Sequence, residues 1–112
     1  MQEEIKVWLK DIERAILEVN EFLPNPRNFI EFEKDIKTKR AVERNIEIIG
    51  EAMNRILSIE PGIAISGSRK IVDTRNRIIH GYDSVSDEVI WLIAIKYIPI
   101  LEKEIKEILE KN

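Results

Sequence analysis

The chain has 112 residues, room for one domain and not for a second. Hydrophobic residues make up 44%, enough for a packed core, so wholesale disorder is excluded. A net charge of −3 argues against non-specific coating of nucleic acid, and the absence of cysteine removes disulfides and thiolate metal sites and points to a reducing compartment.

The opening Met1-Gln2-Glu3-Glu4 is acidic and lacks the apolar run of a signal peptide. No apolar stretch approaches the roughly 18 residues of a membrane span. The expectation is a cytoplasmic protein with no membrane partner. A core this modest would gain from pairing with a second copy.

Segment 3–23 places apolar residues at Ile5, Trp8, Leu9, Ile12, Ala15, Ile16, Val19, Phe22 and Leu23. That three-and-four spacing predicts an amphipathic helix, ended by Pro24-Asn25-Pro26. Phe29 to Asp35 can form a short helical turn. A helix over about 38–58 follows, with Thr38 as its N-cap and a stripe of Val42, Ile46, Ile49, Met53 and Ile56. Gly50 flanks that stripe, a poor helix former whose presence is explained by close approach of another helix. Asn45 lies beside it too, and a polar group there needs a partner.

Pro61-Gly62 and Ser66-Gly67-Ser68 punctuate a loop over 59–68. The next helix runs over about 68–80 and stops at Gly81, a left-handed cap. Ser84 or Ser86 caps a last helix with Asp87 and Glu88 in its first turn. Its stripe is Ile90, Ala94, Tyr97, Leu101, Ile105 and Ile108, and Pro99 should kink it. No strand-like alternation or repeat is present. The expected fold is all-α, a bundle of four main helices with a possible short fifth.

The helix over 68–80 breaks the pattern of the others. With Ile71 at 0° on a wheel, Val72 falls at about 100°, Ile78 at about −20° and Ile79 at about 80°. Arg75 occupies the centre of this stripe, at about 40°. An arginine there is costly unless it is paired or lines a cleft. Asn76 and His80 share a face one turn apart. His80 is the only histidine. Charge is also concentrated here. Residues 69–80 hold Arg69, Lys70, Arg75 and Arg77 against Asp73, while the remainder carries 14 basic and 20 acidic residues.

Histidine titrates near neutrality and suits proton transfer. Arginine suits binding phosphate and stabilising charge that develops on it. Together they suit phosphodiester chemistry on RNA, whose 2′-hydroxyl is a built-in nucleophile. Such cleavage needs a base and an acid, and one histidine supplies one such group at a time. A two-fold dimer would supply two. The acids lie mostly in i,i+4 patterns with Lys or Arg, such as Asp73 with Arg77, and read as surface pairs. No carboxylate cluster suited to metal ions stands out, so neither metal nor cofactor is expected.

The string Arg75-x4-His80-x-Tyr82, with Asn76 directly after the arginine, resembles the signature of the HEPN superfamily, and most closely the HepT-like toxins. The resemblance extends upstream over Ala41 to Ala52 and downstream over Asp87 to Trp91 and the proline-bearing last helix. It implies a dimerising all-α bundle with two motifs around one cleft, and metal-independent endoribonuclease activity. By position it makes Arg75 the phosphate-binding residue, His80 the acid–base residue and Asn76 the residue that orients His80 or the substrate. It also implies an antitoxin partner, a nucleotidyltransferase of the MNT type that transfers AMP to Tyr82. Added charge and bulk there would block RNA.

Each assignment has a plainer competitor. Arg75 can serve as an ion-pair partner of Glu47 or Glu51, and His80 as a cation at a helix C-terminus. Asn76 can bond the next turn, and Tyr82 can be a packing residue. Trp8 and Trp91 read as core. For the whole chain the alternatives to a ribonuclease toxin are a non-catalytic module that partners a nucleotidyltransferase, and a purely structural helical dimer.

Overall fold

In the computed structural model, which describes residues 1–81 and 85–112, the first apolar stripe becomes α1, Glu3–Phe22. Ile5, Leu9, Ile12, Ala15, Ile16 and Val19 are buried along it. Trp8 is half-buried and Phe22 is exposed, so the edges of the stripe face outward. Leu23 leaves the helix in an extended conformation, its N–H still bonded to the Val19 carbonyl. Pro24 and Pro26 then bar continuation.

The short turn forms as α2, Phe29–Lys34, capped by Asn28, whose side chain accepts the Glu31 N–H at 3.1 Å. Phe32 is buried, and Trp91 of the last helix packs edge-on to Phe29 at 5.8 Å and tilted to Phe32 at 5.1 Å between ring centroids. These three rings pin α2 to the bundle.

The central helix α3, Ile36–Ile59, starts two residues earlier than expected. Asp35, not Thr38, is its N-cap. The Asp35 carboxylate accepts the Thr38 N–H at 3.2 Å and the Thr38 hydroxyl at 2.7 Å. Both residues are capping types, and the carboxylate, with two acceptor oxygens, can take both donors at once. These bonds to Thr38 hold the Asp35 carboxyl below its ordinary value of 3.8. The whole predicted α3 stripe is buried, joined by Asn45, Gly50, Ala52 and Leu57. This helix lies between α1 and the next helix.

That next helix, α4, is Ser68–His80, closed by Gly81 at φ +66 with its N–H bonded to the Arg77 carbonyl at 3.3 Å. The loop before it is tied down by Glu104, whose carboxylate accepts from the Ser66 N–H and hydroxyl at 3.0–3.2 Å. Of the expected α4 stripe, Ile71 and Val72 are buried, Ile78 is half-buried and Ile79 is exposed. At roughly 1.5–3 kcal/mol per fully buried aliphatic side chain, α4 is held far more weakly than α3. On its C-terminal turn Ile78 still packs against the core, while Ile79 and His80 face outward. The expected Asp73–Arg77 pair is absent among the described residues, where exposed pairs form on α1 and α3 instead.

Ser86 caps the last helix by accepting the Val89 N–H at 3.2 Å, and Ser84 lies outside the described residues. The helix runs as α5, Asp87–Leu92, then a π-helical turn over Ile93–Tyr97, then α6, Ile98–Lys111. The expected kink at Pro99 takes the form of this π turn. The Ile98 N–H bonds to the Ile93 carbonyl, five residues back. Pro99 then falls in the first turn of α6, where no N–H is required. The extra residue in the turn brings Ile98 into the core beside Ala94 and Leu101.

The result is the expected all-α bundle of four main helices and a short fifth, with no strand among the described residues. No described helix is long and apolar enough to cross a membrane.

Candidate active site

The site is built on the seam between α3 and α4. Gly50 faces α4, and a Cβ placed on it would overlap the Arg75 Cβ and lie 2.8 Å from its Cγ and 3.1 Å from the Ile71 carbonyl. No side chain fits there, so the glycine is the reason the arginine can lie at the centre of the helix interface. The predicted close approach at Gly50 and the predicted misfit at Arg75 are one feature seen from two helices.

The stem of Arg75 is enclosed, and the side chain as a whole is only 20% exposed. Its guanidinium is engaged at both terminal nitrogens. One Nη donates to the Asn76 Oδ1 at 2.9 Å. The other lies 3.5 Å from a carboxylate oxygen of Glu51. The Nε is buried with no hydrogen-bond partner, a costly arrangement that the surrounding packing must sustain. Of the two acids expected as partners, Glu51 takes that place, while Glu47 pairs with Arg44 at 3.7 Å.

Asn76 is half-buried and accepts from its neighbour Arg75 instead of bonding the following turn. It therefore orients the guanidinium directly. The helix is regular through His80, so Asn76 and His80 stay on one face, as expected. His80 is the last residue of α4 and is exposed. Along the axis it sits about 7.5 Å beyond Arg75. Arg75 and Asn76 are thus brought into contact, while His80 stands one turn further on at the open end. The assignment made to Tyr82 lies outside the described residues.

Two clefts border the seam. One of about 330 Å³ opens between α1 and α3, lined by Trp8, Ala15, Asn45, Ile48 and Ala52 with Glu51 and Arg55 at its edge. Asn45 is buried there, with its Nδ2 donating to the Ala41 carbonyl at 3.0 Å and its Oδ1 unpartnered. Sequence marked Asn45 as needing a partner but gave no hint of the cleft, because α1 and α3 meet only in the folded chain. The other, about 220 Å³, lies between the start of α3 and the end of α4, among Lys39, Arg40, Glu43, Arg77 and Gly81. Among the described residues no three His, Asp or Glu side chains gather into a group that could hold a metal ion.

A half-buried arginine admitted by a glycine, bonded to the asparagine that follows it, and a histidine at the end of the same helix form the constellation of the sequence motif. Residues 12–108 match the family model described as Ribonuclease HepT-like. The chain belongs to the HepT-like ribonuclease family. It is 33% identical over 113 residues to a protein of Methanocaldococcus jannaschii provisionally named an RNase, covering 97% of this chain and 90% of that one. A relative from Caldanaerobacter subterraneus subsp. tengcongensis, also provisionally named an RNase, is 38% identical over 86 residues, or 76% of this chain and 77% of its own. A protein of Thermococcus cleftensis provisionally named ribonuclease HepT is 33% identical over 112 residues, 96% of this chain and 98% of its own. No solved structure gives a significant match. The HepT-like match spans all the described site residues, Gly50, Glu51, Arg75, Asn76 and His80.

Proposed function

We propose that this HepT-like chain is the toxin of a toxin–antitoxin pair, a cytoplasmic, metal-independent endoribonuclease that cuts RNA at a site shared by two copies. The observation that carries this reading is the Arg75 guanidinium, held in the α3–α4 seam by Gly50 and Asn76, on the same helix as an exposed terminal His80. An arginine fixed in this way is pre-organised for a phosphate, because the orientation is set before the substrate arrives.

In the reaction a neutral His80 takes the proton of the 2′-hydroxyl. The 2′-oxygen attacks the adjacent phosphorus, and the bond from phosphorus to the 5′-oxygen breaks. A protonated His80 from the second copy gives its proton to that oxygen. The products are a 2′,3′-cyclic phosphate and a 5′-hydroxyl end. Arg75 binds the phosphate and offsets its developing charge. Two copies are required because each chain holds a single histidine.

The same reading assigns Tyr82 as the acceptor of AMP from an MNT-type nucleotidyltransferase antitoxin. AMP on Tyr82, seven residues after Arg75 in the chain, would add phosphate charge and bulk that compete with RNA. The alternative, a non-catalytic module that partners the nucleotidyltransferase, is favoured by one observation: Arg75 is already engaged by Asn76 and Glu51.

The deciding experiment is cleavage of RNA by purified protein in the presence of chelator, comparing wild type with Arg75→Ala and His80→Ala. Loss of cleavage in both variants is expected. Equal cleavage by all three proteins would refute the site.

A further inference from the structure

Glu51 stands between two arginines. Its Oε1 accepts from Arg55 at 2.9 Å, one turn further along α3. Its Oε2 lies 3.5 Å from Arg75 Nη2, across the seam. The two contacts differ in kind. The first is a short hydrogen bond within one helix, between side chains that are each about half exposed. The second is longer and reaches a guanidinium whose other groups are already committed: Nη1 to Asn76, and Nε enclosed without a partner. Among the contacts that hold this guanidinium, Glu51 is the charged one from another helix.

We propose that Glu51 is a positioning residue for Arg75: it holds Nη2 in place in the free protein and yields it to an RNA phosphate on binding. The proposal rests on the ribonuclease reading above and adds the residue that prepares its arginine. A phosphate oxygen and the Glu51 carboxylate compete for the same N–H groups. They also repel one another, so the carboxylate must move aside when RNA arrives. Arg55 already holds the other oxygen, so Glu51 keeps an ionic partner after it leaves Arg75. The residue therefore has two opposed effects. It orders the arginine before binding, and it weakens binding by its charge.

Glu51→Gln and Glu51→Ala separate these effects, because the amide retains an acceptor and loses only the charge. The first measurement needs no RNA. In protein labelled with 15N-arginine, solvent exchange of the Arg75 guanidinium protons is read by NMR, with helicity checked by circular dichroism. Glu51→Ala is expected to speed exchange by about two- to fivefold, as for loss of an ion pair at a partly exposed site. Glu51→Gln should restore most of the protection. Exchange in Glu51→Ala equal to wild type would overturn the proposal, whatever the protein does to RNA.

The second measurement is the Kd for a 2′-O-methyl RNA oligonucleotide, which can bind but offers no 2′-hydroxyl nucleophile. Glu51→Gln should bind about fivefold tighter than wild type at low salt, with the difference shrinking as salt rises. Equal Kd values, or no binding by either protein, would overturn the displacement. Failure of the wild type to cut ordinary RNA would count against the ribonuclease reading alone.

Discussion

Gly50 and Arg75 occupy one volume that only a glycine leaves open: any Cβ at position 50 collides with the Cβ and Cγ of the arginine. The Arg75 Cβ is fixed to the backbone of α4 and cannot rotate away. Gly50→Ala must therefore push α3 and α4 apart. Overpacking of this kind costs roughly 1–3 kcal/mol, and the rigid contact puts this substitution at the upper end. It should lower Tm and cut RNA cleavage together, because the arginine moves with α4. Thermal unfolding and cleavage rates on the same preparation check this. A Gly50→Ala protein with wild-type Tm would mean that the two helices do not meet as described.

Gly81 is a different kind of glycine. A Cβ there meets nothing within 4 Å, but the backbone is left-handed at φ +66. Gly81→Ala carries only the conformational penalty, about 1–2 kcal/mol. The helix can escape part of that by fraying its last turn, which holds His80. The expected outcome is a modest loss of stability with a larger loss of cleavage. Urea unfolding paired with kinetics would show whether the two losses separate.

If both histidines of a dimer are needed, activity in mixtures should not follow the wild-type fraction linearly. Wild type and His80→Ala, unfolded together and refolded in equal amounts, form mixed dimers in which one proton-transfer group is missing. Activity should then fall to about one quarter of the pure wild type, the share of dimers with two intact chains. A value of about one half would show that each chain works alone.

The cap of α3 gives a pH dependence. The Asp35 carboxyl is held below 3.8 by its bonds to Thr38. A carboxyl lowered on folding stabilises the native state fully above its unfolded value, and the contribution is lost as pH falls through the folded value. Asp35→Ala should therefore lower Tm near neutral pH, and the gap to wild type should narrow below pH 3.8. Tm measured for both proteins across that range provides the check. A gap that stays constant into acid would mean the carboxylate charge plays no part in the cap.

The apolar stripes of α1 and α3 and the stop at Gly81 could be read from spacing alone, because burial of one helix face leaves a periodic trace. Arg75 stood out for the same reason, as a charge in an apolar stripe. The start of α3 was less legible, since Asp35 and Thr38 are both capping residues and three-dimensional geometry chose between them. The π turn before Pro99 was hidden because sequence shows only a missing donor, and the chain can answer that with a bend or with a change of register. Exposure of Ile79 was hidden too, since periodicity cannot show which edge of a stripe the neighbouring helices leave uncovered.

The sequence by itself determined that an arginine must be accommodated inside a helical bundle, and that a glycine on another helix marks a close approach. Only the tertiary structure decided that these were the same place, that Asn76 and Glu51 hold the guanidinium there, and that Glu47 does not. The physical reason is that spacing along one helix fixes which residues share its face. Which residues of two helices meet depends on how their surfaces interlock, and that register is set by the whole core.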